Sequence, residues 1–420
     1  MRTTRRKFLS VVGLAAAGPL ILPRASALGY ARNEAVRVGM IGMGVRGREI
    51  LHGYLLGNSR VRVVAICDVD TTRREHHTRE VNDRYANSDC ASFNRHEDLL
   101  ALDRLDAVVI ATPDHWHATQ ALHAAMTGKD IYCEKPLTHT LNESRRIVEG
   151  VRAHQRVFQT GSQQRTEYDH KFVRAAELVR AGRIGKIISV NVGVGDPPKP
   201  CDLPGEEPEP GLDWDRWLGP TPERPYSSIL SPRGVHGHYP AWRAYSDYCG
   251  GYLADMGAHH FDIAQWALDA DASGPVRVEP PEGEDAMRGA SLVFADGTRI
   301  VHGGPSGTVF VGTDGIIHVD RDRLVSMPAG LVEEDLPEGA TTLPRHANHV
   351  ENWLDCIASR ERPICDVEVG ARTATLCQLI NSAYRLRRPL AWDWHAWRFA
   401  GDNAPNELLD YPRRASYPLP

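Results

Sequence analysis

Nowhere in this chain do two of the eight cysteines stand as a C-x-x-C pair. That excludes zinc-ribbon and thioredoxin-type chemistry, which needs paired thiolates at that spacing. Cys67, Cys90, Cys133, Cys201, Cys249, Cys356, Cys365 and Cys377 are scattered singly and read as small buried hydrophobes, and their spacing names no disulfide pair. Positive charge is not in surplus: 49 Lys and Arg against 54 Asp and Glu leave a net charge of −5. That argues against a nucleic-acid surface, and the acidic excess is too mild to imply disorder. Past the N-terminus no apolar run reaches the ~18 residues of a membrane span. No repeat of fixed period is present. What remains is 420 residues, 42% hydrophobic and 25% charged, an ordinary globular balance with room for two cores.

The front of the chain reads as an address. Arg2, Arg5, Arg6 and Lys7 form a basic start, Phe8 to Leu22 is apolar though diluted by Gly13, Gly18 and Pro19, and Ala25-Ser26-Ala27 offers a small-x-small cleavage site. This is the three-part layout of an export signal. Arg5-Arg6 followed by Lys7-Phe8-Leu9 resembles the twin-arginine signal, which implies export, to a periplasm for example, of a protein already folded. Residues 1–27 are therefore set apart from the fold; the alternative is an anchor that stays attached.

Val36 to Ile41 is a buried-strand pattern, followed by Gly42, Gly44 and Gly47 at G-x-G-x-x-G spacing and by a helix over 48–56. Gly42 permits the tight turn, Gly44 lets the backbone approach a pyrophosphate, and Gly47 lets helix and strand pack closely. The helix N-terminus supplies free N–H groups for phosphates. A second strand, 61–67, ends in Asp68, a carboxylate about 20 residues past the last glycine, placed to accept both ribose hydroxyls. A carboxylate there repels a 2′-phosphate, which favours NAD; Arg73 and Arg74 close behind keep NADP possible. Further strands end at Thr112-Pro113 and at Glu134-Lys135-Pro136, with a helix over 120–127 between them. The alternation predicts a parallel sheet whose ligands lie beyond the strand ends.

Lys135 follows a strand end on that cofactor side, where an ammonium helps a hydroxyl lose its proton. Within GGYLADMGAHHFDIAQWAL, 250–268, the spacing predicts a helix from Asp255 onward. Asp255, His259 and Asp262 then share one face, and a carboxylate one turn away can orient an imidazole base. The plain reading of each is a surface lysine and a polar stripe on a core-facing helix.

Taken in order, the three glycines, Glu134-Lys135-Pro136 and Asp255-x-x-x-His259 resemble the Gfo/Idh/MocA family of sugar and polyol oxidoreductases across 36–390. The resemblance implies a catalytic set of Lys135, Asp255 and His259, with His259 as acid/base. It implies cofactor contacts at Gly42, Gly44, Gly47, Asp68, Thr112, Pro113, Glu134 and Lys135. It also implies an α/β fold, a Rossmann domain (28–158) followed by an α/β domain with an open, largely antiparallel sheet (159–395) and a tail (396–420). TPDHWHA (112–118) and GSQQR (161–165) resemble an exported bacterial subgroup.

That second sheet is also visible in β-branched or alternating runs at 187–194, 290–294, 299–302, 308–311 and 316–319. Asp296-Gly297 and Asp314-Gly315 are hairpin turns between them, and 346–358 and 369–385 read as closing helices. An open sheet face of this kind predicts a homo-oligomer. The proline- and acid-rich stretch 196–228 reads as a surface loop or as a lid offering Trp214 and Trp217 to a sugar ring, with Arg243 and Tyr248 also facing substrate. The tail, with Trp392, Trp394 and Trp397 before it, is packing or a subunit arm.

Export poses a chemical question, because free NAD is not replenished outside the cytoplasm. A retained cofactor restored within each cycle answers it. One sugar is oxidised and a second carbonyl reduced, or a hydroxyl is transiently oxidised so that a glycosidic bond leaves by elimination, as in NAD-dependent glycosidases of this family. The competing readings are a metal-dependent hydrolase built on His115-x-His117 with the Asp255 helix, and a binding protein without turnover. No metal is expected in the favoured reading.

Overall fold

The computed structural model describes residues 35–402 and 404–420. The export signal expected at 1–27 lies outside the described residues.

Six strands form the first sheet: β1 (Val36–Ile41), β2 (Val61–Cys67), β3 (Ala91–Phe93), β4 (Ala107–Ile110), β5 (Asp130–Cys133) and β6 (Phe158–Thr160). Their order is 3-2-1-4-5-6 and every pairing is parallel. Near-continuous apolar runs suit strands covered on both faces, and β1, β2, β4 and β5 are buried almost end to end. The covering helices are α1 (Val45–Ile50), α2 (Thr71–Tyr85), α3 (His96–Leu100), α4 (Asp114–Met126) and α5 (Leu141–Ala153). α1 begins at Val45, three residues ahead of the predicted start, and runs on as a π-turn through Leu55. α5 is opened by a full capping box, Thr140 with Glu143. The chain order reverses between β1 and β4, which opens a crevice at the strand ends.

The second half packs α6 (Lys171–Arg180), α8 (Gly251–Ala267) and α10 (Val367–Leu386) against a nine-stranded sheet, with α7 (Trp214–Leu218) and α9 (His349–Ser359) to the side. Its strands are β7 (Ile187–Gly193), β8 (Arg277–Glu279), β9 (Ser291–Val293), β10 (Arg299–His302), β11 (Gly307–Gly312), β12 (Ile316–Val319), β13 (Leu324–Met327), β14 (Leu390–Asp393) and β15 (Arg398–Ala400). The order is 13-12-11-7-10-9-8-14-15, antiparallel except where β10 meets β7. Both Asp-Gly signals close hairpins, β9–β10 and β11–β12. Val190, Val192, Ile300, Phe310 and Ile317 face Phe172, Leu253, Phe261 and Ile380 in the main core. β8 and β13–β15 are only three or four residues long, and β13 and β15 are the sheet's edges, which is why their sequences did not announce them.

The stretch 196–228 is ordered. Asp213 N donates to the Val69 carbonyl and Thr71 N to the Gly211 carbonyl, seating it on the first sheet's end. The tail packs on its own chain: Arg413 pairs with Glu143 of α5, and Arg414 and Tyr417 both bind Asp215 of α7. No described helix is long and apolar enough to cross a membrane.

Candidate active site

One cavity of about 610 Å³ opens at the ends of β1, β2, β4 and β5 and reaches α8. Such a volume suits a ligand larger than a single sugar. Its floor is the glycine turn. Gly42 has φ +90, and a Cβ there would strike the Ala111 and Thr112 backbone at 2.8 Å. A Cβ on Gly47 would sit 2.2 Å from the Gly42 carbonyl oxygen, whereas Gly44 has open space within 4 Å. A cradle that is tight behind and empty in front fits a pyrophosphate laid along the N-terminus of the following helix.

Asp68 lies at the far end of this cradle. Its Oδ2 accepts from Met43 N at 2.7 Å and its Oδ1 from Asp70 N at 2.9 Å, so the carboxylate is fixed against the glycine turn. The nearby arginines are occupied. Arg73 is buried and donates to the Pro232 and Gly234 carbonyls, and Arg74 donates to the Asp68 carbonyl.

Thr112 Oγ1 donates to Gln120 Oε1, and Pro113 caps α4. His117, on α4, brings its ring nitrogens within 2.9 Å of the Thr112 carbonyl and 2.8 Å of the Pro136 carbonyl, which braces two of the three strand ends together. His115 binds the Trp217 carbonyl, and burial pushes its pKa down to about 3. Both imidazoles are thus spent on backbone carbonyls rather than converging with the α8 residues as a ligand set.

Glu134 is buried and accepts from Arg46 Nε and from Gln163 Nε2, each at 2.9 Å. Lys135 reaches across to α8: its Nζ donates to Asp255 Oδ1 at 2.8 Å and to the Asp255 carbonyl at 2.9 Å. Arg243 Nε approaches the same carboxylate at 3.4 Å. Burial alone would raise the Asp255 carboxyl, but Lys135 and Arg243 outweigh it and hold it below the usual range. His259, one turn along, lines the cavity, and its Nδ1 is buried with no hydrogen-bond partner among the described residues. Burial, then the charges of Lys135 and Arg321, push the His259 pKa well below 6.5, so the ring is neutral.

The structure departs from the sequence reading at several side chains. α8 starts at Gly251, ahead of Asp255. Asp255 is held by Lys135 and Arg243, so it does not serve as the carboxylate that orients His259. Asp262 turns away into the protein and binds Arg165 through both oxygens, at 2.7 and 2.8 Å. His260 faces Thr308 of the sheet. Trp214 and Trp217 stack on each other at 4.7 Å, so the first covers the second rather than presenting a free face, although the Trp217 edge reaches the cavity. Arg243 lines the cavity as expected; Tyr248 is fully buried between His115 and Trp217 and does not. Arg46, Gln163, Tyr168, Tyr252 and Arg321 also line it and were not singled out by motif. Gln163 stands in GSQQR at 161–165, Arg46 inside the glycine turn and Tyr252 inside 250–268, whereas nothing local marked Tyr168 or Arg321.

A Rossmann crevice joined to an α8 site of this make-up defines the class: a nucleotide-binding fold with a mixed-sheet second domain. Two family descriptions match, "Oxidoreductase family, NAD-binding Rossmann fold" over 36–162 and "Oxidoreductase family, C-terminal alpha/beta domain" over 201–419. The chain belongs to the Gfo/Idh/MocA oxidoreductase family. It is 35% identical over 157 residues to an inositol 2-dehydrogenase of Rubrobacter xylanophilus, covering 36% of this chain and 42% of that one. It is 30% identical over 213 residues to a glycosyl hydrolase family 109 protein of Shewanella pealeana, 45% of each. The matched stretch thus spans less than half the length of these relatives. Among solved structures, the WlbA dehydrogenase of Bordetella pertussis, in complex with NADH and UDP-GlcNAcA, superposes with TM-score 0.60 at 18% identity over 86% of this chain and 99% of that one. An aldose-aldose oxidoreductase of Caulobacter crescentus gives 0.58 at 17% over 86% and 100%. These distant likenesses confirm the fold.

Proposed function

We propose that this protein is an NAD-dependent oxidoreductase acting on a hydroxyl of a sugar or polyol. The observation that carries the reading is the meeting, in one cavity, of the open-fronted glycine cradle with Lys135, Asp255 and the unpartnered Nδ1 of His259. NAD, when bound, supplies a hydride acceptor that can also return the hydride. Around it the chain's own residues have separate tasks. Gly42, Gly44 and Gly47 bring the backbone close to the pyrophosphate, and Asp68 accepts from the ribose. Thr112, Pro113 and Glu134 shape the cavity wall next to Lys135. Lys135, steered by Asp255, donates to the substrate oxygen and favours its deprotonated form, and neutral His259 takes the proton. Arg73 and Arg74 are held by backbone carbonyls, which favours NAD over NADP.

The basic, apolar and small-residue layout of 1–27 supports export by the twin-arginine route, and export in turn supports a retained, internally recycled cofactor. Transient oxidation followed by elimination of a glycoside is the second reading. It is favoured by the match to the family 109 hydrolase, the longest of the two curated likenesses described above. Exposed Ile188, Val325 and Met327 on the nine-stranded sheet support a homo-oligomer.

The test is to purify the protein without added nucleotide, denature it, and identify what is released by mass. One NAD per chain supports retention, and redox-neutral turnover of glycosides and sugar pairs is then screened. An empty protein that binds NAD reversibly rejects retention and with it the link to export.

A further inference from the structure

We propose that the substrate is a sugar acid, with its carboxylate bound by Arg321 beside His259. This rests on the sugar oxidoreductase reading above and narrows it.

Arg321 sits in the turn from β12 to β13, in the run Asp320-Arg321-Asp322-Arg323. Its neighbours satisfy one another. Asp320 accepts from the backbone N–H of Asp322 and Arg323 and from Arg323 Nε, each at 2.9 Å. Arg321 is left over. No carboxylate among the described residues forms an ion pair with it, and its buried Nε has no acceptor. Yet it lines the same cavity as Lys135 and His259.

It is also held there. The guanidinium lies over the Tyr168 ring, 5.0 Å from the centroid. Tyr168 is the first of three successive non-glycine residues, with Asp169 and His170, at φ +60, +54 and +55. L residues avoid that conformation, and such outliers collect where a ligand is gripped.

The charge balance points the same way. Lys135 and Arg243 share the single carboxylate of Asp255. Arg321 is a third cation at this end of the cavity, and no ion pair among the described residues takes it up. Of the other acids lining the cavity, Glu134 is paired with Arg46, while burial pushes the Asp114 and Glu167 carboxyls up and so disfavours their charged forms. Sugar hydroxyls cannot neutralise a guanidinium; a carboxylate can, and it matches the planar fork with two parallel hydrogen bonds. A phosphate would use the same donors.

The experiment uses the full protein with NAD and matched substrates: glucose, glucuronate and glucose 6-phosphate, with the galactose and mannose sets alongside. kcat/KM is measured for the wild type and Arg321→Gln, and uronate binding is followed separately by equilibrium dialysis. Arg321→Lys and nucleotide titration of each variant guard against misfolding. The expected result is a uronate preferred over its neutral parent by about tenfold to a hundredfold, with the ratio falling toward one in Arg321→Gln and partly restored by lysine. Equal or better use of the neutral sugar, or a ratio unmoved by Arg321→Gln, overturns the proposal. Preference for the 6-phosphate overturns the sugar-acid assignment and makes this a phosphate site. Uronate that binds through Arg321 without hydride transfer supports the anion site and rejects the oxidoreductase reading instead.

Discussion

Lys135 Nζ lies 2.8 Å from Asp255 Oδ1, so one ammonium ties the end of β5 to the second turn of α8. The two side chains are only 14% and 15% exposed. This pair joins the nucleotide half of the cavity to the substrate half, and His259 is one helical turn further on. Lys135→Ala and His259→Ala are each expected to lower kcat by a factor of about 10² to 10⁴. NAD titration should be little changed in both, because the glycine cradle is untouched. Wild-type rates in either variant would sink the catalytic assignment.

The glycines of the cradle make separable predictions. Gly47→Ala places a methyl 2.2 Å from a backbone oxygen that cannot move aside, so melting temperature and NAD binding should both fall. Gly44→Ala meets nothing within 4 Å in the protein, so the fold should melt as before while NAD affinity drops. A Gly44→Ala protein with full NAD affinity would mean the pyrophosphate lies elsewhere.

Arg165 and Asp262 share a bidentate ion pair at 1% and 0% side-chain exposure, and Arg165 also grips Asp271. Removing one partner of a buried pair strands the other charge. Arg165→Met is expected to cost about 3–5 kcal/mol in urea denaturation. A loss under about 1 kcal/mol would show that Asp262 readily takes up a proton instead, the direction in which burial already pushes it.

How much of this was legible beforehand follows from the range of the forces involved. The G-x-G-x-x-G turn, the strand ends at Thr112 and Glu134-Lys135, and the Asp-Gly hairpins are local, so short stretches carry them. Asp262 was misread because the residue that claims it, Arg165, is 97 positions away and spacing along a helix says nothing of it. Tyr248 and the Trp214–Trp217 stack are aromatic and near the site in sequence, yet the packing of one loop on α4 decides that they are buried. Arg321 stands in a polar turn that looks like any solvated hairpin end; only the folding of β12–β13 toward α8 brings it to the cavity. The strands β8, β14 and β15 at one end of the second sheet are three or four residues long, too short to show a period of two.

The buried histidines predict an unusual acid sensitivity. Burial, the leading cause in each case, holds His115 and His349 at about 3, and His96, His260 and His302 at about 4, against an ordinary 6.5. Each is neutral when folded and takes up a proton near 6.5 when unfolded. The unfolded state therefore binds more protons below that point, and stability present above pH 6.5 is lost as pH falls toward the folded values. The slope approaches about 1.4 kcal/mol per pH unit for each such group. Burial also raises the carboxyls of Asp70, Asp114, Glu167 and Asp262, which works in the opposite direction as pH falls, so the imidazole share is read by comparison with a histidine variant. The urea midpoint should drop sharply from pH 7.5 to 5.5. In His349→Gln, which keeps a donor for the Thr160 carbonyl, the drop should be smaller. A drop as large in the variant as in the wild type would mean this ring is protonated in the folded protein, and the neutral resting state assigned to His259 on the same ground would lose its physical basis.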